Sequence, residues 1–153
     1  MIYLECKPDE ALVVTLGIPG KEIEHTSGKG SVCKKLEKSK HSKGLVDEDP
    51  SSIQPSYIKK LKTLSNKHYI KLLYDKNAEN YLIILCPNLE VWILNATRDA
   101  EINIKNYNLP DNADELHKIL NTKIGKFTNL LQTLIKEKSR MLKTLEDFIK
   151  SND

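Results

Sequence analysis

The sequence predicts an α/β fold, Rossmann-like, with a small and mainly parallel sheet flanked by helices and a long helix at the C-terminus. Three observations carry the prediction. Short β-type runs alternate with helix-patterned segments through the first half of the chain. Two further apolar runs, 69–73 and 81–85, are separated by a polar turn. From 122 to 150, apolar residues recur at three- and four-residue steps.

Ile2-Tyr-Leu-Glu5 is the first strand, and Pro8-Asp9-Glu10 starts a helix ahead of the apolar stretch Ala11 to Leu16. Gly17-Ile-Pro-Gly20 ends that helix, and Glu22 to His25 is a short second strand. Ser27-Gly-Lys-Gly30 is a loop opening a helix over Ser31 to Lys40. His41 to Val46 is the third strand, stopped by Asp47-Glu-Asp-Pro50 because proline cannot donate to a central ladder. The resulting βαβαβ order calls for parallel pairing.

Residues 55–64 have a helical pattern. Pro87-Asn88 marks a helix entry with Asn88 as N-cap, placing Leu89, Trp92 and Ile93 on one apolar face of a helix from Leu89 to Ala96 and Glu90 in its first turn. Residues 98–112, rich in Asn and Asp, form a loop, and Ala113 to Leu120 a short helix. Ile124, Phe127, Leu131, Leu134, Met141, Leu145 and Phe148 then mark one amphipathic helix from Thr122 to Lys150, interrupted by Lys138. At 1.5 Å per residue it spans roughly 40 Å, more than one face of so small a domain requires. It therefore packs along its own domain, bends near Lys138, or serves a homodimer or partner protein. The expected organisation is an α/β domain over 1–97 and a helical extension over 98–153 that packs on that domain or on a partner.

With 24 basic and 21 acidic residues, the net charge of +3 is too balanced to imply nucleic-acid binding on its own. Lysines crowd residues 29–43 and 59–71, on either side of the acidic pair Asp47 and Asp49; as solvated helix faces they need no ligand. The three cysteines, Cys6, Cys33 and Cys86, have neither a disulfide pattern nor metal-ligand spacing. Reduced thiols, no signal-peptide pattern at the N-terminus and no apolar run near the ~18 residues that span a bilayer make the expected location cytoplasmic, with no membrane contact.

In open parallel sheets, functional groups gather beyond the carboxyl ends of the strands. Glu5 and the pair Asp47 and Asp49 both fall there. Three oxygen donors without thiol or imidazole suit Mg²⁺ or Mn²⁺ rather than Zn²⁺. Asp-x-Asp-Pro alone fits a strand-ending turn equally well. Leu4 and Val46, however, place these acids where buried strands emerge, and crowded carboxylates repel one another unless a cation lies between them.

Leu4-Glu-Cys-Lys-Pro-Asp-Glu-Ala-Leu-Val13, Gly28-Lys-Gly30 and Gly44-Leu-Val-Asp-Glu-Asp49 together resemble the Toprim domain of topoisomerases, primases and overcoming-lysogenization-defect nucleases. The resemblance covers residues 1 to about 95 and implies metal-assisted phosphoryl transfer, with Glu5, Asp47 and Asp49 catalytic. Glu5 is then a general acid/base or metal ligand, and Asp47 and Asp49 are metal ligands. Cys6 departs from the glycine usual after that glutamate, and a side chain at this position is expected to crowd the approach of a phosphate. Pro87-Asn-Leu-Glu-Val-Trp-Ile-Leu94 resembles the Glu-x-Trp segment of small stand-alone Toprim-like proteins associated with phage defence. By that likeness Glu90 is a further acid of the site; its other reading is a first-turn glutamate placed by the helix macrodipole. Asp9 is likewise an additional metal ligand or the opening carboxylate of the first helix.

Ser27-Gly-Lys-Gly30 lacks the Gly-Lys-Ser/Thr of a nucleotide P-loop, and is either a turn or a backbone cradle for a nucleic-acid phosphate. Lys7, Lys29 and Lys43 are the lysines expected to hold a nucleic-acid backbone. His25, His41, His68 and His117 are scattered without metal-ligand spacing, Cys6 has no histidine partner for nucleophilic work, and Trp92 is a core residue. The expected function is a Mg²⁺- or Mn²⁺-dependent nuclease or related phosphodiester enzyme acting on DNA or RNA in defence or repair. The alternative is a non-catalytic Toprim-like module, binding nucleic acid or a protein as an accessory subunit. No tyrosine is placed for strand passage, and the chain is too short for a topoisomerase or a full primase.

Overall fold

Strands buried on both faces need apolar residues at successive positions. β1 (Ile2–Leu4) and β3 (Lys43–Asp47) meet that need with Leu4, Leu45 and Val46, and β6 (Asn80–Leu85) is buried along its whole length. In the computed structural model, which describes residues 1–151, these three strands lie side by side as the centre of a six-stranded sheet. With β2 (Ile23–His25), β4 (Lys62–Lys67) and β5 (Ile70–Asp75), the order is β2-β1-β3-β6-β5-β4. The first four strands of that order are parallel, and β5 and β4 continue it antiparallel.

Helices cover both faces. α2 (Lys29–Glu37) and the short α3 (Ser56–Lys59) close one side through Val32, Leu36 and Tyr57. At Gly44 the approach of α2 is so close that an added Cβ would lie 2.7 Å from Val32 and about 3 Å from both Leu82 and Leu36. The other side is covered by α1 (Lys7–Thr15), α4 (Leu89–Asp99), α5 (Ala113–Ile119), α6 (Ile124–Lys136) and α7 (Arg140–Lys150). Trp92 is fully buried there, as expected, and its indole N–H donates to the His68 carbonyl at 3.0 Å.

The α/β class stands, and three local expectations are corrected. Residues 55–64 are not one helix: after α3 the chain turns into β4, an edge strand zipped onto β5. The two-residue loop His68-Tyr69 closes that hairpin with both residues at positive φ, 52° and 61°, the geometry of a type I′ turn made without glycine.

The helix of 122–150 is two helices. α6 ends in a Schellman motif: Ser139 N–H reaches the Leu134 carbonyl at 2.9 Å, Lys138 N–H reaches Ile135 at 3.0 Å, and Lys138 adopts φ 59°. Ser139 then caps α7, its hydroxyl accepting from Leu142 N–H at 3.3 Å. The same device ends α4 at Glu101, φ 56°, which carries that helix past Ala96 to Asp99.

The extension of 98–153, so far as it is described, belongs to the same core as the first domain. Phe127, Leu131 and Leu145 share one apolar cluster with Leu4 and Leu12. Its apolar stripe is therefore used within the chain and not left for a partner helix; its last two residues lie outside the described part. Among the described residues no helix is long and apolar enough to cross a membrane.

Two substitutions test these features. Gly44→Val overpacks the α2 contact and is expected to cost about 1–3 kcal/mol, read as a lower urea midpoint at unchanged slope. Lys138→Gly should hold or raise stability by up to about 1 kcal/mol, because glycine takes the left-handed conformation without strain; a loss of that size would instead mark a continuous helix.

Candidate metal centre

Adjacent parallel strands end at the same edge, so β1, β3 and β6 bring the residues at their carboxyl ends side by side. Glu5 is the first residue beyond β1, Asp47 the last of β3, and Asn88 and Glu90 open α4 just past β6. Asn88 caps α4 by accepting from Val91 N–H at 2.9 Å. Asp47 Oδ1 accepts from the next free amide, Leu89 N–H, at 3.0 Å, so its carboxylate sits at the positive end of the helix.

Glu5 receives a backbone hydrogen bond from Asp47. Its Oε1 is buried and has no hydrogen-bond partner. Asp9 lies behind, 3 % exposed, accepting the Cys6 thiol at 3.3 Å and the backbone amides of Glu5 and Cys6. As the third residue of α1 reaching back to its N-cap, it makes one half of a capping box. Glu90 is buried in the first turn of α4, and its Oε1 hydrogen-bonds His117 Nδ1 at 2.6 Å.

Asp49 is more exposed. Its backbone is left-handed, φ 40°, with the amide donating to the Pro87 carbonyl at 2.9 Å. Glu5, Asp47, Asp49 and Glu90 face one cleft of about 580 Å³, completed by Asn88 and by Asp114, His117 and Lys118 from α5.

So many carboxyls in partly desolvated ground suppress one another's ionisation. Asp47 is raised to about 8, by burial first and then by the charges of Asp9, Glu5, Glu90 and Asp49. Burial and Asp9 lift Glu5 to about 7, against the opposing pull of the Asp47 backbone and of Lys29. Burial lifts Asp9 to about 6, although the Cys6 thiol and nearby amides favour its charged form. Burial and Asp9 push the Cys6 thiol well above its ordinary range, so it is no nucleophile near neutrality.

An all-oxygen donor set, an orphaned buried carboxylate oxygen and mutual repulsion fit a hard divalent cation. As the side chains stand, no group of three or more His, Cys, Asp or Glu among the described residues is arranged to hold a metal ion.

The five acids singled out from the sequence thus come to one edge, with Asp9 engaged in a helix cap and Glu90 on His117. The lysines divide. Lys29 comes to the site, its ammonium donating to the Glu48 carbonyl, Ser52 Oγ and Gln54 Oε1. Lys7 is exposed at the start of α1, two residues from Glu5.

Lys43 is not brought to the site. It begins β3 and so stands at the opposite edge of the sheet, bonding the Phe148, Ile149 and Ser151 carbonyls at the end of α7. The helix expected over Ala113 to Leu120 is present as α5, but its part in the site was not foreseen: Asp114, His117 and Lys118 fall at three- and four-residue spacing on one face. That spacing was the available signal.

Compared with protein families, with curated proteins and with solved structures, the chain matches none.

Asp47, Glu5 and Asp9 keep protons in the folded state that unfolded carboxyls release near pH 4. Folding therefore takes up protons, and stability falls as pH rises through about 6, 7 and 8. In metal-free buffer the melting temperature should drop between pH 5.5 and 8.5, and Asp47→Asn should drop less and melt higher than wild type at the alkaline end. A wild-type melting temperature flat over that range would contradict the raised values.

Proposed function

We propose that the chain is a Mg²⁺- or Mn²⁺-dependent enzyme that cleaves phosphodiester bonds in nucleic acid. The observation carrying this reading is the carboxylate cluster at the carboxyl edge of β1, β3 and β6, with Glu5 Oε1 buried and unpartnered in the midst of acids that resist ionising together. The resemblance of the Glu5 and Asp47-x-Asp49 segments to Toprim domains supports the same chemistry, because it assigns those acids to metal-assisted phosphoryl transfer.

Glu5, Asp47 and Asp49 would hold the ion, with Glu90 at the rim beside His117. Asp9 stands behind them, engaged in the cap of α1. When bound there, a divalent cation supplies Lewis-acid activation of a phosphodiester and charge neutralisation at the leaving oxygen. Glu5 would orient or deprotonate an attacking water, and Asp49, exposed where Glu5, Asp9, Asp47 and Glu90 are partly or fully buried, would be the first of the five acids to meet substrate. Cys6 leaves room for this chemistry, since its thiol turns onto Asp9 at 3.3 Å. Lys118 at the cleft wall and exposed Lys7 offer charge for the backbone of a strand.

Calorimetric titration of Mn²⁺ and Mg²⁺ into metal-stripped protein, beside cleavage assays on single- and double-stranded DNA and RNA, tests the proposal. Asp47→Asn/Asp49→Asn should weaken ion binding by roughly tenfold or more. The same variant should also abolish metal-dependent cleavage. No ion binding by the wild type at millimolar concentration would sink the metal reading. Ion binding with no cleavage of any of the four substrates would make the chain a metal-dependent binding module instead.

A further inference from the structure

An ammonium group has three N–H donors. Those of Lys29 go to three acceptors on a single loop: the Glu48 carbonyl at 2.8 Å, Gln54 Oε1 at 3.0 Å and Ser52 Oγ at 3.2 Å. The group is therefore saturated by protein, which leaves no donor for a phosphate. Lys29 belongs to the first turn of α2, so these bonds cross-link a helix to a segment 19 to 25 residues later in the chain.

The loop so held carries Asp49. Its left-handed backbone is sterically unfavourable and persists only where neighbours over-determine it. They do so here. The Asp49 carbonyl accepts from Ser52 N–H at 2.9 Å, Ser52 Oγ at 2.7 Å and Gln54 Nε2 at 3.2 Å, and Ser52 and Gln54 are the side chains that Lys29 grips. Lys71 fixes the start of the loop through Glu48 Oε2 at 2.7 Å.

We infer that Lys29 is a positioning residue: it straps the loop from Glu48 to Gln54, and with it the Asp49 carboxylate, onto the candidate metal centre and makes no contact with substrate phosphate. The inference rests on the metal-dependent reading above.

Two variants test it, Lys29→Met and Gln54→Leu, the second keeping the lysine charge and removing one of its three acceptors. Amide hydrogen exchange, Mn²⁺ calorimetry and steady-state cleavage of the nucleic acid that the wild type cuts are compared with wild type. Lys29→Met should speed exchange at Asp49 and Ser52, weaken Mn²⁺ several-fold, and lower kcat with KM and its salt dependence unchanged. Gln54→Leu should shift exchange and Mn²⁺ affinity the same way and carries the comparison if Lys29→Met does not fold.

Unchanged exchange and Mn²⁺ affinity would overturn the inference. So would a salt slope of KM shallower by about one, the mark of a lost phosphate contact. Failure of the wild type to bind Mn²⁺ would remove the metal reading alone, and the exchange arm would still decide whether Lys29 holds the loop.

Discussion

Burial of the central strands on both faces is the constraint on which the rest of the molecule depends. Leu4, Leu45 and Leu85 are essentially inaccessible, and a charged side chain in their place would lose its hydration without compensation. The first position at which an acid is tolerated is therefore where the covering helices stop, at the carboxyl ends of the strands. Because β1, β3 and β6 are parallel neighbours, those positions coincide in space. The site is a by-product of where the core ends.

That placement sets up an electrostatic conflict. The strand ends are only half out of the core, so Glu5 and Asp47 are partly dehydrated, and each also feels the other acids. Backbone amides relieve part of the conflict: Leu89 N–H serves Asp47, and the capping box serves Asp9. Glu5 Oε1 receives nothing. The remaining imbalance favours the protonated forms, so the same groups couple folding stability to pH.

How much of this was legible in the sequence depends on how local each signal is. Glu5 and Asp47 announce themselves because apolar runs end just before them. Asn88 announces α4 because an N-cap is a one-residue signal, confirmed by its bond to Val91 N–H. The interruption of the apolar stripe at Lys138 signalled a bend there, but the hairpin at His68-Tyr69 and the helix end at Glu101 were not legible, since these residues occupy left-handed conformations that are usually given to glycine or asparagine. Lys43 was misplaced because a lysine near an acidic pair in sequence stands, in a strand, at the far end of it. His117 reaches Glu90 across 27 residues, a contact with no local trace.

The seam between the first strands and the last helices has a consequence for how the chain is made. Lys43 bonds carbonyls 105 to 108 residues ahead of it, and α1 packs on α6 across a comparable stretch. A ribosome that has released the sheet-forming residues has therefore not yet released the helices that cover one side of it. Until α6 and α7 emerge, the nascent chain presents Leu4 and Leu12 to solvent, and closing so long a loop is slow. During synthesis the protein is thus most exposed to proteases and to sticking while α6 and α7 have yet to emerge.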